Sequence, residues 1–146
     1  MSLKLVKDSQ NTDSGAPHAQ STIFKGLNDP QAEAVRHING ALLIIAGAGS
    51  GKTRVLTNRI AFMVEQGIAP FNILALTFTN KAADEMKKRI AAMLTAGQAN
   101  AITAGTFHSI FARVLRREAP LLGYTSSFSI YDTDDSLSLV RSIMNQ

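Results

Sequence analysis

Short apolar runs alternate along the chain with amphipathic stretches. Residues 42–46 read LLIIA and residues 73–78 read ILALTF, and turn-forming residues bound both runs. Apolar runs of this length predict strands that are buried on both faces of a parallel sheet. A weaker strand is predicted over residues 101–105, and a fourth over residues 128–131.

Helices are predicted before, between and after these strands. Asn28 and Gln31 fit the two positions of a capping box, which starts a helix that we expect to end before Gly40. Residues 81–94 carry apolar side chains at three- and four-residue spacing, as on one face of a helix. Strands that alternate with helices indicate an α/β fold with a parallel sheet. Further helices are predicted over residues 52–66, over residues 109–118 and, behind a cap at Asp132, up to residue 144.

The composition indicates an ordinary soluble domain behind a tail. Residues 1–22 are polar and lack an apolar period, which predicts a flexible tail, and residues 23–146 are about one domain long. The chain has no cysteine, which excludes disulfides and thiolate metal sites. Its first residues contain no apolar stretch of signal-peptide length, and no window approaches the roughly 20 apolar residues of a membrane span. We therefore expect a cytoplasmic protein that does not engage a membrane.

The net charge of +4 is compatible with a polyanionic partner. The basic residues fall in two clusters within predicted helices. Either cluster could contact nucleic acid or could form a solvated helix face, and charge alone does not separate the two interpretations. The clusters are Lys81, Lys87, Lys88 and Arg89, and then Arg113, Arg116 and Arg117.

A glycine-rich segment between a predicted strand and a predicted helix carries the strongest chemical signal. Glycines let backbone N–H groups converge on phosphate oxygens, and the helix N-terminus adds a partial positive charge. Lys52 is placed to reach the β- and γ-phosphates, and the Thr53 hydroxyl to ligate Mg²⁺. The strict motif starts with glycine, whereas this one starts with Ala46. The segment is Ala46, Gly47, Ala48, Gly49, Ser50, Gly51, Lys52 and Thr53.

Four segments together resemble a known family. LNDPQAEAV, AGAGSGKTRVLTNRI, ILALTFTNKAADEM and GTFHSIFARVLRR occur in the order and spacing of the Q motif and motifs I, Ia and Ib of UvrD/Rep/PcrA-type superfamily 1 DNA helicases. The resemblance runs from about Phe24 to the last residue. It implies the incomplete first motor domain of a helicase, with a RecA-like P-loop NTPase sheet flanked by helices. It also implies ATP and Mg²⁺ as cofactors, and single-stranded and forked DNA as partners.

The resemblance assigns roles to individual residues. Gln31 would bind the adenine edge, although its capping role is an alternative that can hold at the same time, and Arg54 would join the nucleotide site. Phe78 would offer a stacking face to a base, or would pack in the core at its strand end. His108 is a weaker candidate, since a lone histidine at a helix start is more often a cap or a packed residue. The residues expected to face DNA are Thr77, Phe78, Thr79, Asn80, Lys81, Thr106, Phe107 and His108.

The sequence also departs from the family. The acidic pair of motif II, Asp-Glu-x-Gln, does not occur, and Asp132 is followed by Thr133 where a second acid is expected. We interpret Asp132 as a helix cap instead. The later motifs and the second motor domain of the family do not occur in this sequence either. The resemblance therefore implies a cut piece of a helicase, whose ATP hydrolysis is close to nil.

Two other functions stay open from the sequence. The first is a truncated, non-catalytic helicase module that binds nucleotide or DNA. The second is a small P-loop kinase, which fits into one domain but needs an arginine-bearing lid that is not evident here. The helicase fragment is the leading hypothesis, followed by the non-catalytic module.

Overall fold

The computed structural model describes residues 4–7, 22–131 and 133–145. The chain divides into two compact units, Met1–Phe107 and His108–Gln146. The helix cap predicted at Asp132 and most of the predicted tail lie outside the described residues. The boundaries predicted for the tail and for a single ATP-binding domain stay predictions.

The first unit alternates strands and helices, as its apolar pattern predicts. The order is β1 (Lys4–Lys7), α1 (Asp29–Arg36), β2 (Leu42–Ile45), α2 (Lys52–Glu65), β3 (Leu74–Thr77), α3 (Asn80–Ala91), α4 (Ala96–Ala101) and β4 (Thr103–Thr106). The second unit contains most of α5 (Phe107–Glu118), a short 3₁₀ turn at Ala119–Leu122, and α6 (Thr133–Met144).

The strands form two pairs. β3 and β4 are parallel, with Thr77 opposite Thr106 at their carboxyl ends. β1 and β2 are antiparallel, with Lys4 opposite Ile45. The parallel arrangement is therefore confirmed for β3 and β4, whereas β2 pairs with a strand that the sequence did not predict. Lys4–Lys7, which lies within the predicted tail, forms β1 because its backbone pairs with the open edge of β2.

Two apolar clusters form the core of the first unit. One joins α2, α3, β3 and β4 around Met86, which is fully buried. The other joins α1 and α2 around Val35 and Val55, and Leu42 and Ile44 of β2 pack against it. The alternate residues of β2 are exposed, so this strand is buried on one face only. Together the two clusters fix α2 against its neighbours and so position the loop that precedes it.

The sequence pattern is wrong about the fourth strand. Residues 128–131 have no regular structure, and Ile130 and Tyr131 are exposed. An apolar run becomes a strand only where a partner supplies backbone hydrogen bonds, and Ser129 already interrupts this run. The predicted helices are confirmed with small shifts at their ends. The largest shifts are three residues: α1 ends at Arg36 instead of about Asn39, and α3 ends at Ala91 instead of Leu94.

The predicted capping box at the start of α1 is present. The Asn28 Oδ1 accepts a hydrogen bond from the Gln31 N–H at 3.0 Å, and the Gln31 Oε1 accepts one from the Asn28 N–H at 3.1 Å. Each bond satisfies a backbone donor that the first helical turn leaves unpaired. Gln31 therefore fulfils its capping role, and its side chain is held at a fixed position.

The Asn28→Ala variant is expected to lose about 1 kcal/mol of unfolding free energy, since it removes the side-chain half of this capping box. Urea denaturation followed by circular dichroism measures the change. Asn39→Ala is the matched control, because Asn39 is exposed and follows α1. Its expected change is within about 0.5 kcal/mol. Equal losses in the two variants would contradict the role of the cap.

Candidate functional site

The glycine-rich loop connects β2 to α2, which is the setting that a phosphate-binding loop requires. Gly49 and Gly51 have φ angles of 73° and 83°. These values lie in the left-handed region, which glycine enters without the steric cost that a Cβ atom imposes. Gly51 is also the N-cap residue of α2, so the loop leads directly into the helix N-terminus.

Lys52 folds back over this loop. Its Nζ donates to the carbonyl of Ala46 at 2.8 Å and to the carbonyl of Gly47 at 2.6 Å. The Ser50 hydroxyl also donates to the Gly47 carbonyl, at 2.6 Å. The loop carbonyls therefore solvate the ammonium group, and an anion that enters the loop would replace these neutral acceptors with a stronger, charged one.

The Ala46 departure from the strict motif has a structural explanation. Ala46 contributes a backbone carbonyl to Lys52, which any residue can supply. Among the described residues, only glycines have a positive φ, so Ala46 does not need glycine's conformational freedom. Its methyl group packs against the apolar cluster of α1 and α2. The alanine is thus compatible with the loop geometry.

Gln31 connects α1 to the loop. In addition to its capping bond, its Nε2 donates to the Ser50 carbonyl at 3.0 Å. A Cβ atom added to Gly51 would lie 2.8 Å from the same nitrogen, so the amide packs directly against the loop backbone. The sequence predicted the cap but gave no signal for this contact between residues 19 positions apart.

Two further side chains of α2 bind the segment that precedes α1. Arg54 Nη2 donates to the Lys25 carbonyl at 2.6 Å, and the buried Asn58 donates to the Ile23 carbonyl. Asn58 was missed at the sequence level. Its spacing of four residues from Arg54, which places both on one helix face, was the available signal. Arg54, which was expected in the nucleotide site, fixes this segment beside the loop.

The Gly51→Ala variant is expected to lose roughly 1–2 kcal/mol of stability, because an alanine at φ 83° is strained and its methyl group displaces Gln31. Thermal or urea unfolding measures the loss. Gly97→Ala is a control for which the opposite change, a gain in stability, is expected. Gly97 lies in α4 with open space around its Cβ position, so helix propensity predicts a gain of about 0.5–1 kcal/mol. Unchanged stability in Gly51→Ala would contradict the strain argument.

The carboxyl ends of β3 and β4 bring the other candidate residues together. Because Thr77 and Thr106 are register partners, the residues that follow them leave the same edge of the parallel pair. Phe78 is 93% exposed and Phe107 is 53% exposed. The alternative that Phe78 packs in the core is therefore wrong. Two exposed aromatic side chains at one strand edge form a surface suited to stacking.

The turn that carries Phe78 is held by its neighbours. The Thr77 hydroxyl lies 3.1 Å from the Thr79 carbonyl and 3.4 Å from the Gly105 carbonyl, and both are possible acceptors for its proton. Thr79 caps α3 by accepting from the Ala82 N–H at 3.2 Å. Asn80 and Lys81 begin α3 and are exposed. These bonds fix the backbone on both sides of Phe78 while its ring projects outward.

The remaining DNA candidates differ in accessibility. Thr106 is only 8% exposed, so its side chain offers little to a ligand. His108 is exposed and is the first residue of the second unit.

The basic clusters are exposed, and some of their charges have local partners. Lys87 and Lys88 are exposed, whereas Arg89 pairs with Glu85 on the same helix. In the second unit Arg117 pairs with Glu118 at 2.6 Å, and Arg116 lies 5.8 Å from the centre of the Phe128 ring. Both clusters have the surface position that a polyanion would require.

The described residues contain neither a helix that could cross a membrane nor a metal-binding cluster. In that part of the chain, no helix is long and apolar enough to cross a membrane. Nor does it contain a group of three or more His, Cys, Asp or Glu side chains able to hold a metal ion.

Comparison with known proteins places the chain in a family. The model of the UvrD/REP helicase N-terminal domain matches residues 27–146. The ATP-dependent DNA helicase PcrA of Bacillus subtilis is 51% identical over 130 residues, which is 88% of this chain and 18% of that protein. The PcrA proteins of Leuconostoc citreum and Staphylococcus aureus are 50% and 47% identical over 125 residues, 85% of this chain and 17% of each relative. The chain therefore spans less than a fifth of these relatives, and it belongs to the UvrD/REP helicase N-terminal domain family.

Proposed function

We propose that this chain is the ATP-binding N-terminal part of an ATP-dependent DNA helicase with a RecA-like motor domain. The observation that carries the proposal is the loop between β2 and α2, in which Lys52 and two left-handed glycines surround a helix N-terminus. The family assignment supports the same function. We further propose that the longer protein moves along single-stranded DNA and unwinds duplexes during DNA repair.

The loop residues fit a Mg–nucleotide. Lys52 would release the Ala46 and Gly47 carbonyls and bind the β- and γ-phosphates, while the backbone N–H groups of residues 47–52 surround them. The Thr53 side chain is an exposed oxygen donor in the first turn of α2, which suits Mg²⁺, a cation that prefers oxygen ligands and retains water molecules. The metal would neutralise phosphate charge. Gln31 would recognise the adenine edge beside the loop, with Arg54 bordering the same region.

The strand edge fits single-stranded DNA. Phe78 and Phe107 would stack on bases, while Asn80 and Lys81 would meet the phosphate backbone near the start of α3. We expect Thr77 and Thr79 to act mainly by holding the Phe78 turn, because their hydroxyl groups already bond to the backbone. Thr106 would contribute through its backbone, and His108 stays a weaker candidate.

Equilibrium titration with ATP and with a short single-stranded oligonucleotide tests the proposal. The chain is expected to bind both, with ATP binding that requires Mg²⁺ and DNA binding that weakens steeply as salt rises. We also expect very slow ATP turnover, because the sequence lacks the Asp-Glu-x-Gln pair. Brisk turnover without DNA, or failure to bind ATP at millimolar concentration, would contradict the proposed function.

The exposure of Phe78 favours a second candidate, a non-catalytic DNA-binding module. In that case DNA binding would proceed without ATP. The two candidates separate in one titration: saturating ATP changes the DNA affinity of a helicase fragment and leaves that of an independent module unchanged.

A further inference from the structure

We propose that Gln31 is a positioning residue for the phosphate loop, in addition to any contact that it makes with a base. This inference rests on the proposed nucleotide function. Its basis is the hydrogen bond from the Gln31 Nε2 to the Ser50 carbonyl at 3.0 Å, which connects α1 to the middle of the loop.

The geometry of the peptide bond gives this contact its effect. A trans peptide is planar, and its carbonyl and N–H point in opposite directions. When Gln31 holds the Ser50 carbonyl toward α1, it turns the N–H of Gly51 away from α1. Gly51 is the N-cap residue of α2, where backbone N–H groups bind phosphate oxygens. Gln31 therefore sets the direction of a phosphate donor without touching the phosphate.

The Gln31 side chain is itself fixed and close to the loop. Its Oε1 accepts from the Asn28 N–H at 3.1 Å, so the capping box prevents the amide from rotating freely. On the loop side, Gly51 leaves room for the amide, because a Cβ atom there would lie 2.8 Å from the Nε2. Gly51 also has a φ of 83°, a left-handed backbone conformation that favours glycine at this position. A helix cap, a side-chain amide and a loop peptide thus form one connected unit.

Inorganic tripolyphosphate separates this role from adenine recognition, since it carries the phosphates but no base. The Gln31→Met variant removes the donor at nearly constant length without adding charge. The Gln31→Glu variant also removes it, and it retains the capping box, because glutamate is a usual residue at that position. Both variants are expected to bind tripolyphosphate roughly three- to tenfold more weakly, the effect of one lost hydrogen bond. Asn28→Ala removes the Asn28 Oδ1 but keeps the Asn28 N–H that donates to the Gln31 Oε1. This variant is expected to bind tripolyphosphate as the wild type does.

A spectroscopic readout in the ligand-free chain completes the test. The carbonyl carbon resonance of Ser50 is expected to move in Gln31→Met and in Gln31→Glu, and to stay in place in Asn28→Ala. A Ser50 carbonyl resonance that stays in place in the two Gln31 variants overturns the inference. So does wild-type tripolyphosphate affinity in Gln31→Met, whether or not ATP binding falls, because the residue then acts on the base or through charge alone. A wild-type chain that binds neither tripolyphosphate nor ATP overturns the proposed function, and the inference with it.

Discussion

Replacing Lys52 by alanine is expected to weaken ATP binding by about ten- to hundredfold, the range for hydrogen bonds that involve a charged group. The Lys52 Nζ donates to two loop carbonyls, which hold the ammonium group over the loop. A charged donor held in place is a strong phosphate ligand, because little side-chain freedom is left to lose on binding. Isothermal titration with Mg–ATP measures the effect.

Lys88→Ala is the control for this variant. Lys88 is an exposed residue of α3, so its replacement changes the net charge by the same amount at a place outside the loop. We expect it to bind ATP as the wild type does. Lys88→Ala is expected to keep its free energy of unfolding within about 0.5 kcal/mol of the wild type, since this side chain is exposed. Equal ATP affinity in Lys52→Ala and in the wild type would remove the basis for the nucleotide site.

The features that the sequence predicts best are local ones. The capping box of Asn28 and Gln31 needs only a spacing of three residues, and the structure contains it. The loop before α2 likewise follows from glycines placed between an apolar run and a helix. Such features depend on backbone geometry within a few residues, so the order of residue types determines them.

Features that require a distant partner were not predictable in the same way. The bond from Gln31 to Ser50 and the bond from Arg54 to Lys25 join residues that are 19 and 29 positions apart. Their formation depends on how α1 packs against α2, which a one-dimensional pattern does not contain. The strand that pairs with β2 was not predicted for the same reason: an apolar run indicates burial but not which strand lies beside it. The exposure of Phe78 was likewise not predictable, because a phenylalanine at a strand end can either pack in the core or face solvent.

Replacing Phe78 by alanine is expected to weaken single-stranded DNA binding by about five- to hundredfold, which corresponds to the loss of roughly 1–3 kcal/mol for one stacked base. The ring is 93% exposed, so the free energy of unfolding is expected to stay within about 0.5 kcal/mol of the wild type. Fluorescence anisotropy with a labelled oligonucleotide measures the affinity. Because the ring carries no charge, the dependence of affinity on salt should keep its slope while the whole curve moves.

The chain supplies a matched control for this variant at the other end of β3. Phe71 is 73% exposed and lies in the turn that precedes the strand, whereas Phe78 follows it. Phe71→Ala therefore removes another exposed ring, at the amino end of the strand, and we expect it to leave DNA affinity unchanged. Phe78→Trp keeps an aromatic face at the carboxyl end and is expected to retain binding. If Phe71→Ala weakens binding as much as Phe78→Ala does, the carboxyl edge of β3 and β4 is not the DNA-binding surface.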